Sequence, residues 1–519
     1  MDLFRGAFLA VLFLIMGFTP ASAQDVTLSS RDGTVTISGT LLGFDGEFYR
    51  VDTLYGELTL DGSGVNCEGP GCPNLVNFVA SVTFSGAATM GDVLMPALVS
   101  AFARRSGLAL HREDIDATHF NYVFSDKTDG NNVGSFSFHL SNTDEGFADL
   151  LANEADIVLS LREVRPTESK RAKEAGMGNL LARGRARVIA LDALVAITAL
   201  DNPVQAITTP DLARVLAGEI DNWQGLGGPD APISVHLRDA KSGLGQAAED
   251  RLLRPLNLSL SASATRHTTD AALAAAVASD PFAIGVASHA KTANTAVLVL
   301  SGNCGFALAP TRRTIKTEDY PLTSPMFLYL PARRLPKLAR DFLAYTRSRS
   351  AQLVVRRAGF VDQSPEEITI NDQGSRFANA IARAGSEVSL GDLQRMVQVL
   401  DTRNRLSTTF RFNAGSAVLD AQSRSNVAHL AHDLEAGYYE GRELLFVGFS
   451  DGDGPAGPNR TISARRARAV RDAVIAAAVT ANLDNITLGT DAFGEALPMA
   501  CDDSAWGRQV NRRVEVWLR

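Results

Sequence analysis

The stretch VGFSDGDGPAGPNRTISARRARAV, residues 447–470, contains Gly448-Phe449-Ser450-Asp451-Gly452, which fits the G-x-S-x-G pattern of a hydrolase nucleophile elbow. That reading needs a histidine downstream, because hydrolases of that fold order their triad Ser, then Asp or Glu, then His. No histidine follows His432. The segment is not an EF-hand loop either, since the third ligand position holds Pro455. What remains is a strand ending at Ser450, an acid at the strand end, a Gly/Pro loop and an Arg-rich helix. Asp451 and Arg466 are fifteen residues apart. A helix folded back on the sheet, with Arg466 about a turn and a half into it, brings both to one mouth. A carboxylate beside a guanidinium suits a zwitterion: the acid takes an ammonium and the arginine forks onto a carboxylate. By spacing alone, a plain loop-to-helix salt bridge is the simpler reading.

The flanking sequence places the stretch in a β-α-β-α-β-β pattern over residues 406–519. In order it runs TTFRFNAGSAVLD, helix SRSNVAHLAHDLEAG, strand ELLFVGFS, helix TISARRARAVRDAVIAAAV, then strands NITLGTDAFG and RRVEVWLR. This region resembles the OmpA-like peptidoglycan-binding domain. GFSD stands where that family has G-H-T-D, Asn459 follows, ISARRA matches L-S-x-x-R-A, and NRRVEV occupies 511–516. Phe412 to Asp420 matches F-x-x-G-S-A-x-L-D. The resemblance implies that Asp451 and Arg466 bind the zwitterionic end of diaminopimelate in peptidoglycan, with Asn459 and Arg512 at further family positions around the site. The departures are Phe449 for His and Ser450 for Thr; they leave the charged pair intact.

Residues 76–365 alternate strands and helices, which predicts an α/β fold with largely parallel sheets, and at this length two lobes rather than one sheet. The pattern TPDLARVLAGEI reads as a helix capped by Thr209 with Pro210 at its first position. Backbone amides at a helix N-terminus behind small residues can hold an anion. SGAATMGD (85–92) and RDAKSGLGQ (238–246) have this form, and Ser141-Asn142-Thr143 is a weaker case. Taken singly, each is more simply a cap or a turn. Together they resemble the PstS-type phosphate-binding proteins, the two-lobed periplasmic class II fold. The resemblance is carried by SGAATM, by NPVQAITTPDLARVLAGEIDNWQGLGG, by RDAKSGL, by DPFAIGV and by QLVVRRAGFV. It implies that Thr89, Ser141, Arg238, Ser242 and Gly243 face an anion, and that strands near 187–197 and 282–290 cross between lobes that hinge closed. The sequence departs from the pattern at Leu244, at Met90 and at Leu161. Leu161 stands where phosphate binders place an Asp that accepts a hydrogen bond from protonated phosphate. Phosphate, sulfate, another oxyanion and no ligand all remain open. An ABC permease is a partner the resemblance allows, although a receptor held on the wall does not diffuse freely to an inner-membrane transporter.

The remaining segments set the compartment. Residues 1–23, with Arg5, an apolar run and Ala21-Ser22-Ala23, read as a secretory signal peptide. Residues 24–75 alternate in strand fashion with RDG, FDG and DGSG turns, predicting a small β-barrel or β-roll. Residues 366–405 are more polar and read as a linker with one helix, LGDLQRMVQVLD. Export permits disulfides. Cys67 and Cys72 suit a small disulfide loop, though C-x4-C is also half a zinc site; Cys304 and Cys501 then pair by default. The chain has 519 residues, 45% hydrophobic and 21% charged, with a formal charge of −8, an ordinary folded composition that argues against nucleic acid. Eight histidines lie scattered, without the H-E-x-x-H or close His/Asp groups of a metal hydrolase. The sequence therefore predicts no enzyme and no cofactor. It predicts a multidomain α/β protein of the periplasm, associated with peptidoglycan and the outer membrane, that binds phosphate or a similar oxyanion. The alternative is a wall-attached scaffold with a degenerate binding domain.

Overall fold

The computed structural model describes residues 25–75, 78–385, 387–413 and 416–519. The signal-peptide segment lies outside them. The chain divides into two compact units, one through Ala80 and one spanning Ser81–Arg519.

In the first unit, five antiparallel strands are ordered Gly56–Asp61, Phe48–Thr53, Thr36–Phe44, Val26–Ser30, Val65–Glu68. Alternation buries one face around Val26, Leu28, Tyr49 and Val51. The two outer strands do not pair with each other among the described residues, so the sheet is open rather than the expected barrel. Cys67 and Cys72 form a disulfide, with Cα atoms 5.8 Å apart. Both sulfurs are committed, which removes the zinc half-site reading.

The second unit is built on a mixed eleven-stranded sheet. One end carries Thr265–His267, Ser234–Arg238 and Ala283–Ser288, paired in parallel. The other end carries Ile157–Ser160, Ala80–Ala87, Asn132–Ser141, His119–Asp126 and Leu108–Asp114. There the last three form an antiparallel meander. The expectation of largely parallel sheets is thus corrected. The meander strands alternate buried and half-buried residues, the mark of an antiparallel sheet covered on one face.

Between these two lobes run Ala186–Thr198 and Thr323–Tyr329, antiparallel to each other. The first crossing matches expectation. The second is Thr323–Tyr329 and not 282–290, because Ala283–Ser288 pairs only within the second lobe. Both segments are buried apolar runs, and hydrophobicity does not say which one crosses. A smaller correction concerns the helix Thr209–Ala217. Its cap is Thr208, whose hydroxyl accepts from the Asp211 amide at 3.0 Å, so Pro210 sits one position later than read.

The polar segment after 365 is no linker. Strand Glu367–Ile368 joins the C-terminal sheet beside Asn404–Arg411, and two helices, Gly374–Ala382 and Leu390–Leu400, follow it. Ala380, Leu393, Met396 and Leu400 pack with Phe449, Phe493 and Trp517 into one core. The five-stranded C-terminal sheet orders Glu367–Ile368, Asn404–Arg411, Arg513–Leu518, Glu443–Phe449, Thr487–Gly494. An unexpected helix, Ala505–Asn511, precedes the last strand; at seven residues it is too short to announce itself by periodicity.

The middle and C-terminal regions are stitched together. Cys304 and Cys501 form a disulfide, and Trp506 Nε1 donates to the Arg251 carbonyl at 3.1 Å. Arg405 forks onto Asp319 at 2.7 and 3.1 Å. The Ala421 amide donates to Glu163 at 2.7 Å, and Asn426 Nδ2 to the Glu318 carboxyl at 3.1 Å.

Candidate functional site

The C-terminal mouth is built at the end of strand Glu443–Phe449. Helix Ala456–Ala477 lies so close to this strand that a Cβ at Gly448 would collide with the Ser463 carbonyl. The helix starts about five residues earlier than read, so Arg466 sits about three turns in rather than one and a half. Its guanidinium is buried. Nε and Nη2 both donate to the Ser416 carbonyl at 3.1 Å, and its carbon stands 5.1 Å from the centre of the Phe412 ring. Burial and the neighbouring Arg512 hold its pKa below the ordinary arginine value.

Asp451 is buried as well, 8% exposed, and its partner is Arg512, Nη1 to Oδ2 at 2.6 Å. The loop-to-helix pair of Asp451 with Arg466 is therefore corrected: both charges reach one mouth, but each is held by a different group. Among the described residues, Oδ1 of Asp451 and Nη1 of Arg466 carry no hydrogen bond, which leaves one acceptor and one donor of opposite charge for a ligand. Asn459 does not point a free amide at them. Its Nδ2 donates to the Gly454 carbonyl at 3.2 Å and to Glu495 at 3.0 Å, holding the loop. Phe449, in place of the family histidine, is fully buried with Arg513 over its ring at 4.5 Å. Ser450 is 3% exposed, unlike an elbow nucleophile that must meet substrate.

Support for the mouth comes from residues the sequence reading passed over. Asp502, next to the Cys304–Cys501 disulfide, accepts from the Gly452 amide at 2.8 Å and from Asn511 at 2.9 Å. Glu515 is fully buried and accepts from Arg376 at 2.6 Å, Arg513 at 2.7 Å and Trp517 Nε1 at 3.0 Å. Burial opposes its charge, and the surrounding arginines outweigh burial and drive its pKa well below the ordinary range. The alternating R-V-E-V of 513–516 was the available signal: an acid and a base on the face of a strand that also carries a tryptophan.

The cross-lobe cleft has a volume of about 530 Å³ and is lined by Ser141, Arg238 and Ser242, with Asn142, Glu145 and Lys241. Three of the five expected anion contacts therefore converge. The other two do not line it. Thr89 lies 6% exposed at the start of the widened helical turn Met90–Leu94. Gly243 faces lobe one instead, where a Cβ would stand 2.9 Å from that of Ala87. Part of the cleft's charge is already paired, although Arg238 Nε is buried without a partner among the described residues. Arg238 Nη1 meets Asp270 at 3.0 Å, and Lys291 meets the same carboxylate at 3.2 Å. The Ser242 hydroxyl donates to the Asp239 carbonyl at 2.7 Å and caps helix Gly243–Ala248 by accepting from Gly245 at 3.0 Å. Contacts also cross between the lobes: Arg165 to Asp250 at 2.9 Å, and Asn142 Nδ2 to the Lys241 carbonyl at 3.1 Å. Among the described residues, no group of three or more His, Cys, Asp or Glu could hold a metal.

The architecture is that of a two-lobed binding domain joined to an α/β sandwich with a charged mouth. Residues 121–350 match the PBP superfamily domain and residues 411–512 match the OmpA family, so the chain carries a domain of each kind. It is 28% identical over 182 residues to the phosphate-binding protein PstS of Borreliella burgdorferi, a match covering 34% of this chain and 64% of that protein. The chain thus spans less than two thirds of that relative. Another match, 28% identical over 138 residues, is to the probable lipoprotein YiaD of Escherichia coli, covering 25% of this chain and 60% of that protein. Among solved structures, an ABC-type phosphate transport receptor from Vibrio cholerae aligns with 19% identity and a TM-score of 0.42, over 54% of this chain and 99% of that one.

Proposed function

We propose that the chain is an exported envelope protein held non-covalently on peptidoglycan, presenting a cleft of the phosphate-receptor type. In this reading residues 24–75 form a separate β domain, 76–365 the binding domain and 406–519 the wall-binding domain, with 366–405 built into the latter. The observation that carries it is the mouth where, among the described residues, one carboxylate oxygen of Asp451 and one guanidinium nitrogen of Arg466 carry no hydrogen bond. An ammonium and a carboxylate on one carbon, as at the end of diaminopimelate, meet both. In the cleft, Ser141, Arg238 and Ser242 would take phosphate or a similar oxyanion, with Arg238 offering its remaining N–H groups. No described helix is long and apolar enough to cross a membrane, so attachment through the wall is the retention mechanism proposed. An ABC permease stays a further partner within this proposal.

A specific observation favours a second reading, a wall-attached scaffold. Asp270 already pairs with Arg238, and Leu161 brings no acceptor. Calorimetric titration of the full-length protein with phosphate and with sulfate, beside an Arg238→Ala variant, separates the two. Heat that disappears in the variant supports the receptor. Absence of any heat dependent on Arg238 rejects it in favour of the scaffold. Co-sedimentation with isolated peptidoglycan tests the attachment independently; a protein that stays in the supernatant refutes it.

A further inference from the structure

The cavity of about 670 Å³ between the middle and C-terminal domains shares no lining residue with the cross-lobe cleft. Its walls come from the end of helix Met95–Arg105, from the bend between helices Lys337–Tyr345 and Arg349–Arg357, and from helix Ala421–Glu435. Basic side chains dominate the lining: Arg105, Arg347, Arg349, Arg356, His429 and His432. Only one acid lines it, Asp433, and burial pushes that carboxyl up to about 6.

Two of these cations have satisfied surroundings. Arg356 is paired with Asp362 at 2.6 Å and Glu366 at 2.9 Å, and Arg349 lies 3.7 Å over the Tyr438 ring. The guanidinium groups of Arg105 and Arg347 have no hydrogen bond or ion pair among the described residues. Arg187, on the adjacent crossing strand, adds a third such charge: its Nε is buried without a partner. Burial and the repulsion of Arg347 bring the Arg187 pKa down to about 10, and the same two causes bring His429 down to about 4. Arg347 also precedes the N-terminus of helix Arg349–Arg357, capped by Ser348, so the dipole adds positive potential at the same point. A contiguous groove of about 570 Å³ shares Arg347, Ser348 and His432 and adds Arg183, Arg424 and one acid, Glu435.

Arg347 and Arg187 are half-buried cations without a counter-charge among the described residues; such charges are costly to keep, and removing one is expected to be neutral or stabilising. A ligand that brings two negative charges and several acceptor oxygens would compensate them, and guanidinium forks match tetrahedral oxyanions. We propose that this interdomain cavity binds a phosphate dianion, free or carried on a larger molecule, through Arg347, Arg105 and the amides behind Ser348. This site is independent of both sites in the functional reading above.

The test uses the full-length chain carrying Arg238→Ala, which removes any cross-lobe event. It is titrated with inorganic phosphate and, separately, with glucose 1-phosphate. One binding event per chain is expected, with at least one of the two probes; the stronger probe identifies the free or the carried form. Adding Arg347→Met should weaken that event at least tenfold and raise the melting temperature of the unliganded protein. Arg105→Glu, at an exposed position that does not threaten folding, should weaken it in the same direction. Unchanged binding in both variants, or no event with either probe in the Arg238→Ala protein, overturns the proposal. The part of the phosphate heat that Arg238→Ala removes belongs to the cross-lobe cleft, and only heat that remains in that variant counts for this cavity.

Discussion

The C-terminal mouth and the cross-lobe cleft are both lined with opposite charges, and they use them differently. At the mouth, each charged group is held by a neighbour through only part of its bonding capacity. Asp451 gives one oxygen to Arg512, and Arg466 gives two nitrogens to a carbonyl. In the cleft, Arg238 gives one nitrogen to a carboxylate that also holds Lys291, and its buried Nε has no partner among the described residues. A ligand at the mouth completes bonds on two groups of opposite charge, whereas an anion in the cleft would bond the remaining N–H groups of Arg238 beside the Asp270 carboxylate, which repels it. A site is therefore defined less by which residues gather than by what bonding they have left over.

The contrast can be broken from its support outward. Replacing Glu515 with Gln removes the carboxylate facing buried Arg376 and Arg513. That should cost about 3–5 kcal/mol, read as a lowered denaturation midpoint with no comparable loss when Asp270 is changed to Asn. Replacing Cys304 and Cys501 with serine opens a loop of sequence separation 197 and should cost about 2–4 kcal/mol; equal stability of the two proteins in guanidinium would show that the bridge is redundant. Asp451→Ala should weaken peptidoglycan co-sedimentation by about 1.5–3 kcal/mol, the range for a charge-assisted bond, while leaving any phosphate heat in the cleft intact. Equal sedimentation of this variant would place wall binding elsewhere.

A pH dependence is expected at the seam as well. Burial pushes the Glu318 carboxyl from an ordinary 4.5 up to about 8. Between these values the folded chain holds a proton that the unfolded chain has lost. Its contribution is whole below about 4.5 and is lost as pH rises through about 8. The expected slope is about 1.4 kcal/mol per pH unit, and Glu318→Gln should flatten it in urea titrations.

The mouth was legible because its motif residues answer to local demands. Gly448 is small where a helix carbonyl presses on the strand, and Asp451 and Arg466 sit at fixed steps from it. The choice of partners was not legible: Arg512 arrives at the start of the neighbouring strand Arg513–Leu518, which pairs Arg513 with Phe449, and fifteen residues of spacing suggested Arg466 instead. Arg376 and Arg405 sit in polar sequence that reads as linker, although one meets Glu515 and the other Asp319 in the interior. Their partners lie more than eighty positions away, and no periodicity reports an ion pair at that range. In the middle domain, resemblance brought Ser141, Arg238 and Ser242 to one cleft, yet Asp270, the residue that changes its chemistry, lies outside every segment that carries the resemblance.

The bridge from Cys304 to Cys501 has a consequence for how the protein would survive a protease. It closes a covalent ring that includes the last crossing strand, the polar helices and most of the C-terminal sheet. A single cut at any exposed peptide bond within 305–500 would open the ring without releasing a fragment. The nicked molecule would run as one species until reduced and as two thereafter, and its cleft-bearing and wall-binding parts would remain attached through sulfur.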